Sequence, residues 1–336
     1  MDLKQMEMMK RRRKTGAIGW LQDLFAIEAK PRKGLLAAEW VVLAYAVATM
    51  LLVFFCYTKL ANPESMVAGR LRVMAMMAML WAVYRLLPCR FTLMLRLLVL
   101  MLLLGWWYPD TYEINRIFTN LDHSFASAEQ WLFGFQPALE FCRHFPSKLF
   151  SSLMYLGYGS YYPLIALTAF WYFLCRYKDF ERCAFVIITA FFIYYVIYDF
   201  VPVVGPTFYF KAVGLQDIAH GVFPALGDYF NTHTDCLPAP GYHDTVFYKF
   251  VEYARLQGER PTAAFPSSHV GVATICLLFA IHSRRKWLII LMAPLYVLLC
   301  LSTVYIQAHY AIDALAGLAT GLILYFALMA LSRRLC

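Results

Sequence analysis

The sequence predicts an all-α protein: a polytopic transmembrane helical bundle of about eight spans. Three observations carry this expectation. Of the 336 residues, 61% are hydrophobic and only 15% charged, with a mean hydropathy of +0.56. A soluble protein cannot hide that much apolar surface. The apolar residues arrive in runs near the ~20 that cross a bilayer as a helix. Positive charge collects at alternate connections between those runs. Spanning segments must satisfy their backbone internally, so helices are the expected form.

Taken in order, residues 1–34 are a basic, polar lead-in containing Lys10-Arg-Arg-Arg-Lys14 and Arg32-Lys33. Between the clusters, Trp20, Leu21, Leu24, Phe25 and Ile27 stand among polar residues. That pattern fits a short amphipathic helix over 18–29 on cytoplasmic headgroups as well as it fits a disordered tail. The first strong apolar run begins only near Leu35, so no signal peptide is expected. A single transmembrane domain, 35–336, follows with runs at about 36–58, 71–88, 91–108, 150–175, 183–204, 268–282, 286–306 and 310–331.

Basic residues mark the N-terminus, Arg85 and Arg90, the group Arg176, Lys178 and Arg182, then Arg284-Arg-Lys286 and Arg333-Arg334. Eight alternating spans put all of them, and both termini, on the cytoplasmic face. The net charge of +9 is explained there by anionic lipid, and no nucleic-acid partner is implied. The same alternation puts 109–149, 205–267 and the turn near 307 on the extracytoplasmic (periplasmic or luminal) face.

The first outer segment holds Glu113, Asp122, Glu129 and Glu140 with Trp131, Phe133 and Phe135. It reads as short interfacial helices that shape lipid access. The second is long for a mere connection, which suggests a lid. Its His220, His233 and His243 lack metal-ligand spacing, and the nine cysteines include no C-x-x-C. No metal, redox site or cofactor is expected. Cys142 and Cys236 fall well inside the outer segments, where an oxidising compartment would permit a disulfide. Asp199, at the outer end of its span, has two readings: a bond to a head-group hydroxyl, or a side chain facing water.

Two stretches carry the chemistry. In Ser302-Thr-Val-Tyr-Ile-Gln-Ala-His309-Tyr-Ala-Ile-Asp313, a helix would put His309 and Asp313 on one face, the carboxylate within reach of the ring. A carboxylate on one imidazole nitrogen leaves the other as base or nucleophile. Such a pair can also be a self-satisfied core contact, but buried ionisable groups in hydrocarbon usually mark function. In Phe265-Pro-Ser-Ser-His269, Pro266 suits the first turn of a helix. Ser267 and Ser268 would then bring hydroxyls and amides to a helix N-terminus, an anion site beside His269.

Together the two stretches resemble the second and third signatures of the type-2 phosphatidic acid phosphatase superfamily, P-S-x-H and S-R-x(5)-H-x(3)-D. The resemblance implies a six-helix core and a phosphohistidine mechanism. His309 would attack phosphorus, Asp313 would orient it, and His269 would protonate the leaving oxygen. Thr303 stands where those phosphatases carry arginine, and no K-x(6)-R-P occurs; the nearest stretch has Tyr253 at the lysine and Arg260-Pro261 at the end. Arg255 and Arg260 are therefore the candidates for the missing positive charge. Ala264 to His269, Ser302-Thr-Val-Tyr305 and His309 to Asp313 look like the inositol phosphorylceramide synthase (aureobasidin-resistance) branch. Asp122 to Gly134 and Val201 to Tyr209 agree more loosely. Sphingomyelin synthases share the same histidine–histidine–aspartate set.

The expected function is a membrane phosphotransferase that moves inositol phosphate, or a related head group, from a phospholipid such as phosphatidylinositol to ceramide. The alternatives are a lipid phosphatase of the same superfamily and a non-catalytic lipid transporter. Ser267, Ser268, Arg260, Arg255, Tyr305 and Asp199 complete the set as candidate substrate-binding residues.

Overall fold

The computed structural model describes residues 17–336; the basic cluster Lys10 to Lys14 lies outside them. Among the described residues there are helices and short 3-10 turns and no strand. Helix α1 (Ala17–Phe25) packs on α4, ring of Phe25 against Phe91. Trp20, Leu21 and Phe25 stay exposed, as an interfacial helix requires.

Among the described residues, six helices are long and apolar enough to cross a membrane, as in an integral membrane protein: α2 (Ala37–Phe55), α3 (Pro63–Leu86), α4 (Arg90–Asn115), α9 (Tyr177–Phe200), α14 (Lys286–Tyr305) and α15 (Ala311–Leu335). Two shorter apolar helices, α8 (Tyr161–Cys175) and α13 (Ser268–His282), run among them. The single span expected over 150–175 is instead two helices, α7 (Lys148–Gly159) and α8, divided at Ser160. The Ser160 hydroxyl donates to Gly157 O, and Pro163 has no N–H to continue the ladder.

Helix α9 is the most enclosed of the six, touching α2, α4, α8, α13 and α15. Polar side chains tie the bundle where lipid offers no partner. Glu39 caps α2 by accepting from Leu36 N and pairs with the buried Arg96 of α4. Arg70 of α3 pairs with Asp110 of α4. One approach is close enough to demand glycine. A Cβ on Gly317 of α15 would lie 2.4 Å from Ser267 O, and one on Gly321 2.6 Å from Gly271 O of α13. Small residues let these two backbones touch.

The segments expected on the outer face fold into α5 (Asp122–Phe133), α6 (Pro137–His144), α10 (Pro206–Val213), α11 (Leu215–Ala219) and α12 (Val246–Gly258). They gather at one end of the bundle, where Asp122 meets Tyr310 and Gln307 meets Ala138. At the other end Arg32 reaches Glu181 and Cys336 O, and Tyr84 reaches Glu28.

Candidate active site

The site lies where the N-terminus of α13 meets the turn between α14 and α15. Ser267 is the N-cap of α13, its Oγ accepting from Val270 N at 3.4 Å. His269 is therefore in the first turn, as expected. Its ring is held between Tyr158 and Tyr161, with centroids 4.9 and 4.3 Å away.

His309 is not on a helix. Helix α14 ends at Tyr305 and α15 begins at Ala311, with Gln307 at φ 65° between them. The expected helical i, i+4 pair is thus replaced by a turn geometry. His309 Nδ1 lies 2.8 Å from Ala264 O and 3.7 Å from Asp313 Oδ2. A carbonyl only accepts, so Nδ1 carries the hydrogen and Nε2 keeps its lone pair. The backbone of Ala264, rather than the Asp313 carboxylate, fixes the tautomer. Asp313 Oδ2 accepts from Tyr310 N at 2.9 Å, and Asp313 O accepts from Ser267 N at 3.0 Å. Asp313 therefore joins the two motif backbones and leaves its charge near the ring.

His309 Nε2 is 3.4 Å from His269 Nδ1. With the lone pair on Nε2, the hydrogen in that contact belongs to His269 Nδ1. A nucleophilic nitrogen and a proton donor thus face each other. Burial pushes the His309 pKa down to about 4, against the Ala264 carbonyl and Glu259, which raise it. Its ring is neutral at neutral pH.

Several expected binding groups are already engaged by the protein. The Ser267 hydroxyl serves the cap, and Ser268 N donates to Tyr198 Oη, which donates to Pro266 O. A helix N-terminus needs acceptors for its amides, and the chain supplies them from within. Arg255 is buried and donates to Glu259, Glu252 and Thr207 Oγ1. Thr207 N donates to Gln307 O, so Arg255 belongs to the wall beside the His309 turn. Burial opposes its charge, but Glu259 and Glu252 outweigh that and raise its pKa.

Arg260 is exposed. Among the described residues, only its backbone carbonyl enters a hydrogen bond, accepting from Thr262 N. The Tyr305 ring is buried against Phe141 and Phe150, in a separate apolar cluster with Met154 and Val251. Asp199 reaches neither water nor the histidines. It is buried and accepts from Tyr45 Oη at 3.1 Å, because its side of α9 faces α2. Thr303 gives its carbonyl to His309 N at 3.0 Å and its hydroxyl to Cys300 O. Cys142 and Cys236 are free thiols, Cys142 in the Tyr305 cluster and Cys236 3.9 Å from Arg255.

Two acidic residues that sequence reasoning left without roles join the site. Asp122 accepts from Val204 N at 2.7 Å, Gly205 N at 2.9 Å and Tyr310 Oη at 3.1 Å. Gly205 has φ 91°, and a Cβ there would meet Ala308 O at 2.8 Å. Glu129 accepts from Ala311 N and Ile312 N at the start of α15. The sequence signals for them were a carboxylate in an aromatic-rich interfacial stretch and the loose family likeness of the stretch from Asp122 to Gly134. The Ala264 carbonyl and the tyrosines around His269 had no signal of their own.

A family model described as the PAP2 superfamily matches residues 123–327. Neither the search of curated proteins nor that of solved structures found a match to the chain.

Proposed function

The chain belongs to the PAP2 superfamily, a phosphoryl-transfer enzyme of the lipid phosphatase or phosphotransferase type; from that premise we propose that it transfers a phosphorylated head group between lipids. The observation that carries this reading is the opposed pair of ring nitrogens, His309 Nε2 and His269 Nδ1 at 3.4 Å. In the proposed reaction His309 Nε2 attacks the phosphorus of a phospholipid diester. The bond from phosphorus to the diacylglycerol oxygen breaks, and His269 gives that oxygen its proton. The positive charge on phosphohistidine is offset by Asp313, 3.7 Å from Nδ1, and by the Ala264 carbonyl. The acceptor hydroxyl then loses its proton to His269 and attacks phosphorus, and the phosphorus–nitrogen bond breaks.

Three features support a lipid hydroxyl, rather than water, as acceptor. His309, Asp313 and Ser267 are buried, and a phosphoenzyme that must wait for a second lipid needs water kept away. Thr303 replaces an arginine of the related phosphatases. Arg255, the buried cation beside the site, already has two carboxylates on it. Each charge-assisted hydrogen bond contributes about 1.5–3 kcal/mol, so fewer free cations mean a weaker grip on a dianionic monoester. A singly charged diester such as phosphatidylinositol suits the site better. The motif likeness to inositol phosphorylceramide synthases supports inositol phosphate as head group and ceramide as acceptor. Purified protein given labelled phosphatidylinositol should pass label to ceramide and hydrolyse phosphatidate slowly. Faster phosphatidate hydrolysis, unaffected by ceramide, would make it a phosphatase.

The basic clusters support an active site on the extracytoplasmic face. In a background without other cysteines, Ser268→Cys should label with an impermeant reagent on intact cells, and Arg285→Cys should not. The reverse pattern would invert the topology.

A further inference from the structure

We propose that Glu129 is a positioning residue for the histidine chemistry: its buried carboxyl side chain fixes the backbone that follows His309. This rests on the reading of His309 as the attacking group. Glu129 stands on α5, outside the spans, and is fully buried. Its Oε1 takes the amides of Ala311 and Ile312, the first two residues of α15. Helix N-terminal amides carry partial positive charge and favour a carboxylate there. Asp122, on the same helix, holds Tyr310 Oη and the Val204 and Gly205 amides. Helix α5 thereby grips the segment that sets where the His309 ring points.

Among the described residues, Glu129 Oε2 and Asp313 Oδ1 are buried without a hydrogen-bond partner. A buried carboxyl oxygen that no donor satisfies makes ionisation of its carboxyl costly. Burial raises the Glu129 pKa to about 8 and Asp313 adds to that, while the Ala311 and Ile312 amides pull it back. Tyr310, just before α15, is the other titratable group that feels its charge. Below about pH 8 Glu129 keeps its proton and adds no negative charge beside the site. As pH rises through about 8 the Glu129 proton leaves, and the new negative charge opposes the anionic diester arriving at His309 Nε2.

The test measures total head-group release from phosphatidylinositol against pH for wild type, Glu129→Gln and Glu129→Ala. Wild-type kcat should fall on the alkaline side with an inflection near pH 8. Glutamine keeps an acceptor oxygen for the two amides but cannot ionise, so in Glu129→Gln that inflection should vanish. Glu129→Ala frees the amides, and kcat should drop at least about tenfold while KM changes less than about threefold. A wild-type profile without the inflection, or an unchanged inflection in Glu129→Gln, would overturn the titration assigned to Glu129. A Glu129→Ala kcat within about twofold of wild type would overturn the positioning role. Total release does not depend on which acceptor is used. A His309 variant that still turned over would defeat the functional reading itself, whatever the Glu129 profile.

Discussion

Replacing His309 with glutamine is expected to abolish head-group transfer, with a loss of at least about 10⁴-fold, because no other side chain presents a nucleophilic lone pair at that point. Glutamine keeps a side-chain amide that can donate to Ala264 O, so the turn should hold while the nucleophile is gone. The measurement is the rate of donor head-group release, together with the acid-stability signature of phosphohistidine in the trapped enzyme. Turnover above about 1% of wild type would remove His309 from the nucleophile's role. The same assignment makes a claim about pH. The attacking form is neutral, and burial has lowered the pKa to about 4. On the acid side, activity should therefore hold down to that value and fall as pH drops through it. An acid-side inflection of kcat/KM near the ordinary histidine value of about 6.5 would mean that another group titrates, or that the ring is more hydrated than its burial implies.

Replacing His269 with alanine should slow the reaction by roughly 10²–10⁴-fold while leaving His309 able to attack. Its Nδ1 faces His309 Nε2 across 3.4 Å, the place a departing oxygen must occupy. Without that proton the diacylglycerol oxygen leaves as an unstabilised alkoxide. A donor whose leaving group is a good anion, such as a nitrophenyl diester of the same head group, should recover most of the lost rate. If the activated and natural donors are slowed equally, His269 does not act on the leaving group and its place between Tyr158 and Tyr161 is structural.

The bundle was legible because hydrocarbon imposes a length and a composition on each span, and both are properties of consecutive residues. The departures came where one residue altered a local balance. Ser160 and Pro163 divide the run at 150–175, and Asp199 faces α2. The histidines were legible for a different reason. Ionisable side chains at close spacing in an apolar chain are costly, and the cost marks them.

What this sequence determined alone is therefore the class of fold, the pair of histidines and the aspartate, because each is written in neighbouring residues. What only the tertiary structure decided is how those groups act on one another. Ala264 O, rather than Asp313, takes the His309 Nδ1 hydrogen; the Ser267 hydroxyl caps α13 and the Ser268 amide is taken by Tyr198 Oη; and Glu129 reaches across 182 positions to the start of α15. Main-chain carbonyls and amides are the same at every residue, so no sequence pattern announces which will be aimed at a ring or a carboxylate. Their direction follows from where the chain turns and how closely α13 and α15 approach at Gly271, Gly317 and Gly321, and that is settled by packing between segments remote in the chain.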